Sequence, residues 1–447
     1  MVIENNDYVE RRFIFTLVAA CLASTFLLLT FTEFPRLSIL TVDCLFCIFI
    51  AHTFRKFKSR LLFLLHPLII WIANQFYVVP FLELGDGPQI ITTLRHYLDT
   101  TTWTLDPNGV LIGVFHPNLL AGFRQLSFGT VPIILVPEYL YVRPASEVYF
   151  LWQSTFAIIL IALCVTVGHL WRVLNEKYLM YMTLFAVLSP SFVELRNNLN
   201  RYDVLFCGLL LFFLSFIVIN KKITIARLSM LSIGLMLIII SKYALLFPLF
   251  LFIVYYYLFE KKDYLQLGVA TTFFIIIIGS QYNYEMLLYT VARYQLISSE
   301  GGATFSFLAQ VPLIGYLFKY LFALLAPFPW HKANLLVTSS YGGNYFSFVM
   351  HVLSALFGIY FFSCLLIRSK KILFVDAELR MLVMYGLIMS SSILMGATGY
   401  HFYLLIYFPF FAPILAQQEC RVFWGIPIGF VVAVEVAYIL SQWFLRL

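Results

Sequence analysis

Residues 204–259 read VLFCGLLLFFLSFIVINKKITIARLSMLSIGLMLIIISKYALLFPLFLFIVYYYLF. Three apolar runs, 204–220, 228–241 and 244–259, follow one another here, broken only by Lys221-Lys222-Arg227 and by Ser241-Lys242-Tyr243. Such runs are on the scale of the ~20 residues that a bilayer-spanning helix needs, and they lack the polar–apolar alternation of a barrel strand. The expectation is therefore an all-α, polytopic transmembrane chain.

The same pattern extends in both directions. Further runs lie near 13–32, 37–54, 61–80, 148–170, 178–194, 264–280, 346–367, 382–398, 401–418 and 423–444, about thirteen spans in all. Of the 447 residues, 62% are hydrophobic and 11% charged, against a soluble norm of about 45–50% apolar and about 25% charged. The first run has the length of a true span and no small-residue cleavage site after it, so it is expected to be a membrane helix instead of a removed signal peptide.

A net charge of +7 invites comparison with nucleic-acid binders, but the cations fall in short clusters between apolar runs and not along one face. No nucleic-acid partner is expected. Under the positive-inside rule the clusters mark the cytoplasmic side: Arg11-Arg12, Arg55-Lys56-Lys58-Arg60, Arg172-Lys177, Lys221-Lys222-Arg227, Lys261-Lys262, Arg368-Lys370-Lys371-Arg380 and Arg421. This places the N-terminus in the cytoplasm. Segment 311–327 is long enough to cross, yet a crossing there would carry Arg368-Lys370-Lys371 outside. It is read as re-entrant or interfacial, which leaves the C-terminus outside. The seven cysteines lie in or at the edge of apolar runs without paired spacing, so neither a disulfide framework nor a metal site is expected.

Residues 1–447 form a single integral membrane domain on this reading, with two long extracytoplasmic loops, 81–147 and 281–345. Both mix aromatics, glycines, prolines and charges, as functional loops do. The inner clusters account for 18 of the 29 Lys and Arg. The remaining eleven, Arg36, Arg95, Arg124, Arg143, Arg196, Arg201, Lys242, Arg293, Lys319, Lys332 and Arg446, lie on or near the outer face. Singly they suit loop solubility or head-group contact; as a set they suit an anionic ligand such as phosphate or pyrophosphate, which the guanidinium fork binds through paired hydrogen bonds.

Asp86 sits in the turn Gly85-Asp86-Gly87-Pro88, and Arg95-His96-Tyr97 follows in the same loop. A carboxylate or imidazole there is a candidate base for an attacking hydroxyl; Asp86 equally suits an Asx turn or helix cap. Glu194-Leu195-Arg196 and Arg201-Tyr202-Asp203 lie between two spans, and Lys242 lies at a helical break, where it either serves a site or snorkels to the interface. Pro327-Phe328-Pro329-Trp330-His331-Lys332 ends the re-entrant segment, its prolines forbidding a regular helix and its Trp suiting the interface. Gly399-Tyr400-His401-Phe402-Tyr403 lies between two later spans. Its aromatics suit either a sugar-binding surface or the interfacial belt. Asp43, inside the second run, reads as an interhelical polar contact.

In these features the chain resembles the Wzy-type bacterial oligosaccharide repeat-unit polymerases and, more distantly, the GT-C membrane glycosyltransferases. The resemblance rests on Gly85-Asp86-Gly87, the stretch from Pro190 to Asp203, Ser241-Lys242-Tyr243, Pro327-Phe328-Pro329-Trp330, and Tyr400-His401 before Pro409 and Pro413. It departs from the GT-C pattern after the first span, where that class carries an acidic motif and this chain has Glu33-Phe34-Pro35-Arg36.

The resemblance implies a bacterial inner-membrane enzyme of O-antigen or capsule synthesis. It would join undecaprenyl-pyrophosphate-linked repeat units on the periplasmic face without cofactor or metal. Asp86, His96, His331 and His401 are the catalytic candidates; Arg95, Arg124, Arg196, Arg201, Lys242, Arg293, Trp330, Lys332 and Tyr400 are the substrate-binding candidates. Implied partners are the lipid-linked oligosaccharide and membrane lipids, with a chain-length regulator and a flippase as accessories. Two other readings remain: a GT-C transferase that decorates a glycan from a polyprenyl-phosphate sugar, and a transporter or flippase. The latter class places its ionisable groups near the midplane.

Overall fold

In a computed structural model of the chain, the described residues are 202–219, 224–242, 245–279 and 377–390, with single positions between 44 and 68, at 176 and 180, and between 356 and 436. The chain divides into two compact units, residues 1–243 with 339–347, and residues 244–338 with 348–447. All ordered elements among the described residues are helical.

The first unit contains α1 (Tyr202–Ile219) and α2 (Ile225–Lys242). Thr224 precedes α2, and its hydroxyl accepts from the Arg227 N–H at 3.3 Å while its carbonyl accepts from the Leu228 N–H at 3.0 Å. This is the side-chain capping expected of a threonine ahead of a helix. From Leu205 to Ile217 every position of α1 is buried. A helix apolar all round is stable only when it is enclosed.

Two glycines set how closely α1 meets α2. A Cβ on Gly208 would stand 2.9 Å from the Leu237 Cβ and 3.1 Å from the Gly234 carbonyl oxygen. One on Gly234 would stand 2.6 Å from the Phe212 nitrogen and 3.0 Å from its Cα. Gly208 thus opposes residue 237 while residue 212 opposes 234, so the helices run antiparallel, backbone nearly on backbone. Small residues at such a crossing let dispersion contacts accumulate where apolar burial alone discriminates little.

The second unit is built on α3 (Leu246–Tyr255), which passes without a break into a π-helical segment, Tyr256–Lys261. Lys262 then adopts a left-handed conformation, φ 54°, ψ 38°. Its N–H returns to the Tyr257 carbonyl, as does that of Asp263 at 3.0 Å. Asp263 opens α4 (Tyr264–Gly279) by accepting the Gln266 N–H at 3.1 Å. α5 (Ala377–Ser390) packs on the other side of α3. Phe250 stacks on Phe274 of α4 with centroids 4.0 Å apart, and Phe252 meets Tyr385 of α5 edge-on at 4.7 Å. Leu246, Pro248, Leu249, Phe252 and Tyr256 are the buried residues of this central helix.

Taken by themselves, no helix among the described residues is long and apolar enough to cross a membrane. The longest, α1 and α2, have 18 residues each, about 27 Å of rise against a hydrocarbon core of about 30 Å. The expectation of about thirteen spans rests on the sequence, as do the two long loops 81–147 and 281–345, which lie outside the described residues.

Candidate functional site

The strongest polar cluster among the described residues gathers where the π segment meets α5. Arg380 donates from Nε to Glu260 Oε1 at 2.8 Å and from Nη2 to Oε2 at 3.0 Å, a two-pronged ion pair. The Tyr255 hydroxyl donates to Glu260 Oε1 at 2.7 Å. The glutamate side chain is 13% exposed and the arginine side chain 31%.

Three donors on one carboxylate are a strong arrangement because the fork geometry matches both oxygens. The Arg380 hydrogen bonds hold the Glu260 carboxyl below the usual carboxylate range; burial opposes this, and the Tyr255 hydroxyl adds to the lowering. The π segment contributes through its register. The extra residue of an i→i+5 turn changes the rotation of the helix, and Glu260 projects from the last turn of that segment.

Glu260 and Arg380 are 120 residues apart, and neither stands out alone. Arg380 reads simply as one inner cation. The available signal is an acid at the C-terminal end of a helix, where the macrodipole opposes it and a cation partner is needed. A second long-range polar contact joins the Lys58 N–H to Glu176 Oε2 at 3.0 Å.

The pair makes a definite prediction for stability. The carboxyl titrates lower when folded than when unfolded, so its contribution is fully present above about pH 4.3 and is lost as pH falls through the folded value. The Glu260→Gln variant in detergent is expected to be less stable at neutral pH by about 2 kcal/mol. Its deficit should shrink when thermal unfolding is repeated toward pH 3. An equal deficit at every pH would mean the charge contributes nothing.

Of the residues singled out in the sequence, Lys242 is the last residue of α2, and α3 begins at Leu246. Asp86, His96, His331 and His401 lie outside the described residues, as do Arg95, Arg124, Arg196, Arg201, Arg293, Trp330, Lys332 and Tyr400. Among the described residues no group of three or more His, Cys, Asp or Glu is placed to hold a metal ion. In comparison with known proteins, the chain matches no family model, no curated protein and no solved structure.

Proposed function

We propose that this chain is an inner-membrane polymerase that joins undecaprenyl-pyrophosphate-linked oligosaccharide repeat units on the periplasmic face. The terminal hydroxyl of one lipid-linked unit attacks the anomeric carbon of the growing glycan. A new glycosidic bond forms, the bond from that carbon to pyrophosphate breaks, and undecaprenyl pyrophosphate leaves with its charge neutralised by arginines. The hydroxyl proton passes to a base, for which Asp86, His96, His331 and His401 are the candidates.

The observation that carries this reading is the agreement between the two long-range polar contacts and the charge pattern. Lys58 and Glu176 lie in or beside two clusters assigned to the cytoplasm, and so do Glu260 and Arg380. In a chain that crosses a bilayer, each contact requires an even number of crossings between its partners. Runs 61–80 and 148–170 satisfy the first; runs 264–280 and 346–367 satisfy the second, with 311–327 not crossing. On that topology both long loops are read as outer, the first carrying Asp86, Arg95 and Arg124 and the second Arg293, His331 and Lys332.

The test is the glycan ladder of a strain that lacks the gene. A polymerase leaves surface glycan capped at one repeat unit, because transfer to the acceptor does not depend on extension. A shift of one sugar per repeat would favour the decorating GT-C transferase, and an unchanged ladder would overturn the polymerase reading.

A further inference from the structure

We propose that the corner between α3 and α4 binds an anionic phospholipid of the cytoplasmic leaflet, its phosphate held by Lys261 and Lys262 and its acyl chains laid along α4. The inference rests on the membrane reading and adds a ligand that the polymerase chemistry does not require. Both lysines are exposed, while the acids on either side are engaged: Glu260 by Arg380, and Asp263 by the first turn of α4. The corner therefore presents cationic charge beside acids already satisfied.

Directly beyond it, Leu265, Val269, Phe273 and Ile276 form one row on α4, each between 59% and 80% exposed. These positions are four, four and three residues apart, the spacing that aligns side chains along one helix face. From the first to the last the row rises about 17 Å, close to the half-thickness of a ~30 Å hydrocarbon core. No charged residue occurs between Tyr264 and Gly279. The exposed hydroxyl of Thr272 is spent within its own helix, donating to the Gly268 carbonyl at 2.9 Å, as hydrocarbon surroundings demand of a polar group. Tyr264, 67% exposed, stands between the charged corner and the apolar row, at the level where aromatic rings sit in a bilayer interface. Charge, aromatic ring and one leaflet's depth of apolar side chains thus follow in the order that a phospholipid presents them.

The test uses the full-length protein, reconstituted with equal parts phosphatidylglycerol and phosphatidylcholine, extracted gently, and weighed by native mass spectrometry for retained lipid. Wild type should retain phosphatidylglycerol selectively. Lys261→Gln with Lys262→Asn should weaken that retention by roughly five-fold per lysine; asparagine is chosen because it tolerates the left-handed backbone at 262. Lys221→Gln with Lys222→Gln, removing two other inner cations, should leave it unchanged. Equal retention of both lipids, wild-type retention by the 261/262 variant, or displacement of the lipid by inorganic phosphate alone would overturn the proposal. Retained lipid is read without any glycan, so this result and that of the ladder stand separately.

Discussion

Single replacement of Arg95, Arg124, Arg196, Arg201 or Arg293 by alanine is expected to reduce long-chain glycan by about ten- to a hundred-fold wherever that arginine binds the pyrophosphate. The magnitude follows from the contact. A guanidinium donating two charge-assisted hydrogen bonds to phosphate contributes roughly 1.5–3 kcal/mol, and alanine supplies neither charge nor donors. Lysine restores the charge but not the planar fork, so the corresponding Arg→Lys variants should recover extension only in part. A loop arginine that serves solubility tolerates both changes. Each variant is expressed in the deletion strain, its membrane level checked by immunoblot, and the ladder scored on a gel. Normal extension by all five alanine variants would return the outer cations to loop solubility and remove the anionic-ligand basis of the proposed function.

The second large effect is on folding, at the α1–α2 crossing. Gly234→Leu would drive a side chain into the Phe212 backbone, since even its Cβ would lie 2.6 Å from that nitrogen. Backbone cannot swing aside as the tip of a flexible side chain can, so the helices must separate along a line that also includes Gly208, Leu237 and Ile238. Overpacking a formed contact costs typically 1–3 kcal/mol, and a backbone collision falls at the upper end. The expected result is loss of the monodisperse peak in detergent size-exclusion chromatography, or a large drop in thermal midpoint. Gly268→Leu is the matched control. Nothing lies within 4 Å of the position its Cβ would take, and leucine favours the helix over glycine by up to about 1 kcal/mol. Comparable damage from both substitutions would show that the close approach of α1 and α2 is not what holds this unit together.

Much of the local structure was legible in the residues. The runs 204–220, 228–241 and 264–280 lie over α1, α2 and α4 because uninterrupted apolar stretches of this length, bounded by Lys or polar residues, hide their backbone polar groups most readily as helices. The start of α3 has a related reason: Pro248 falls in its first turn, where a missing N–H is least costly. The run 244–259 hid more, since nothing in Tyr255-Tyr256-Tyr257 announces that the helix loosens into a π turn there and reverses through a left-handed lysine. The candidates of loops 81–147 and 281–345 are known as residue types in sequence, which is a statement about chemistry and not about mutual distance.

By itself, then, the sequence determined that this chain is rich in long apolar segments and where the cations interrupt them. These are properties of short windows, set by hydrophobicity and charge along consecutive residues. Only the tertiary structure decided that Glu260 is held by Arg380 and Tyr255, that Gly208 and Gly234 bring α1 against α2, and that Phe252 meets Tyr385. Periodicity can indicate that a helix has a face to bury but cannot name the partner, because many apolar faces in such a chain are chemically alike. The choice among them is made by shape, through where a missing Cβ allows close approach, and by the need of a half-buried carboxylate for a guanidinium arriving from 120 residues away.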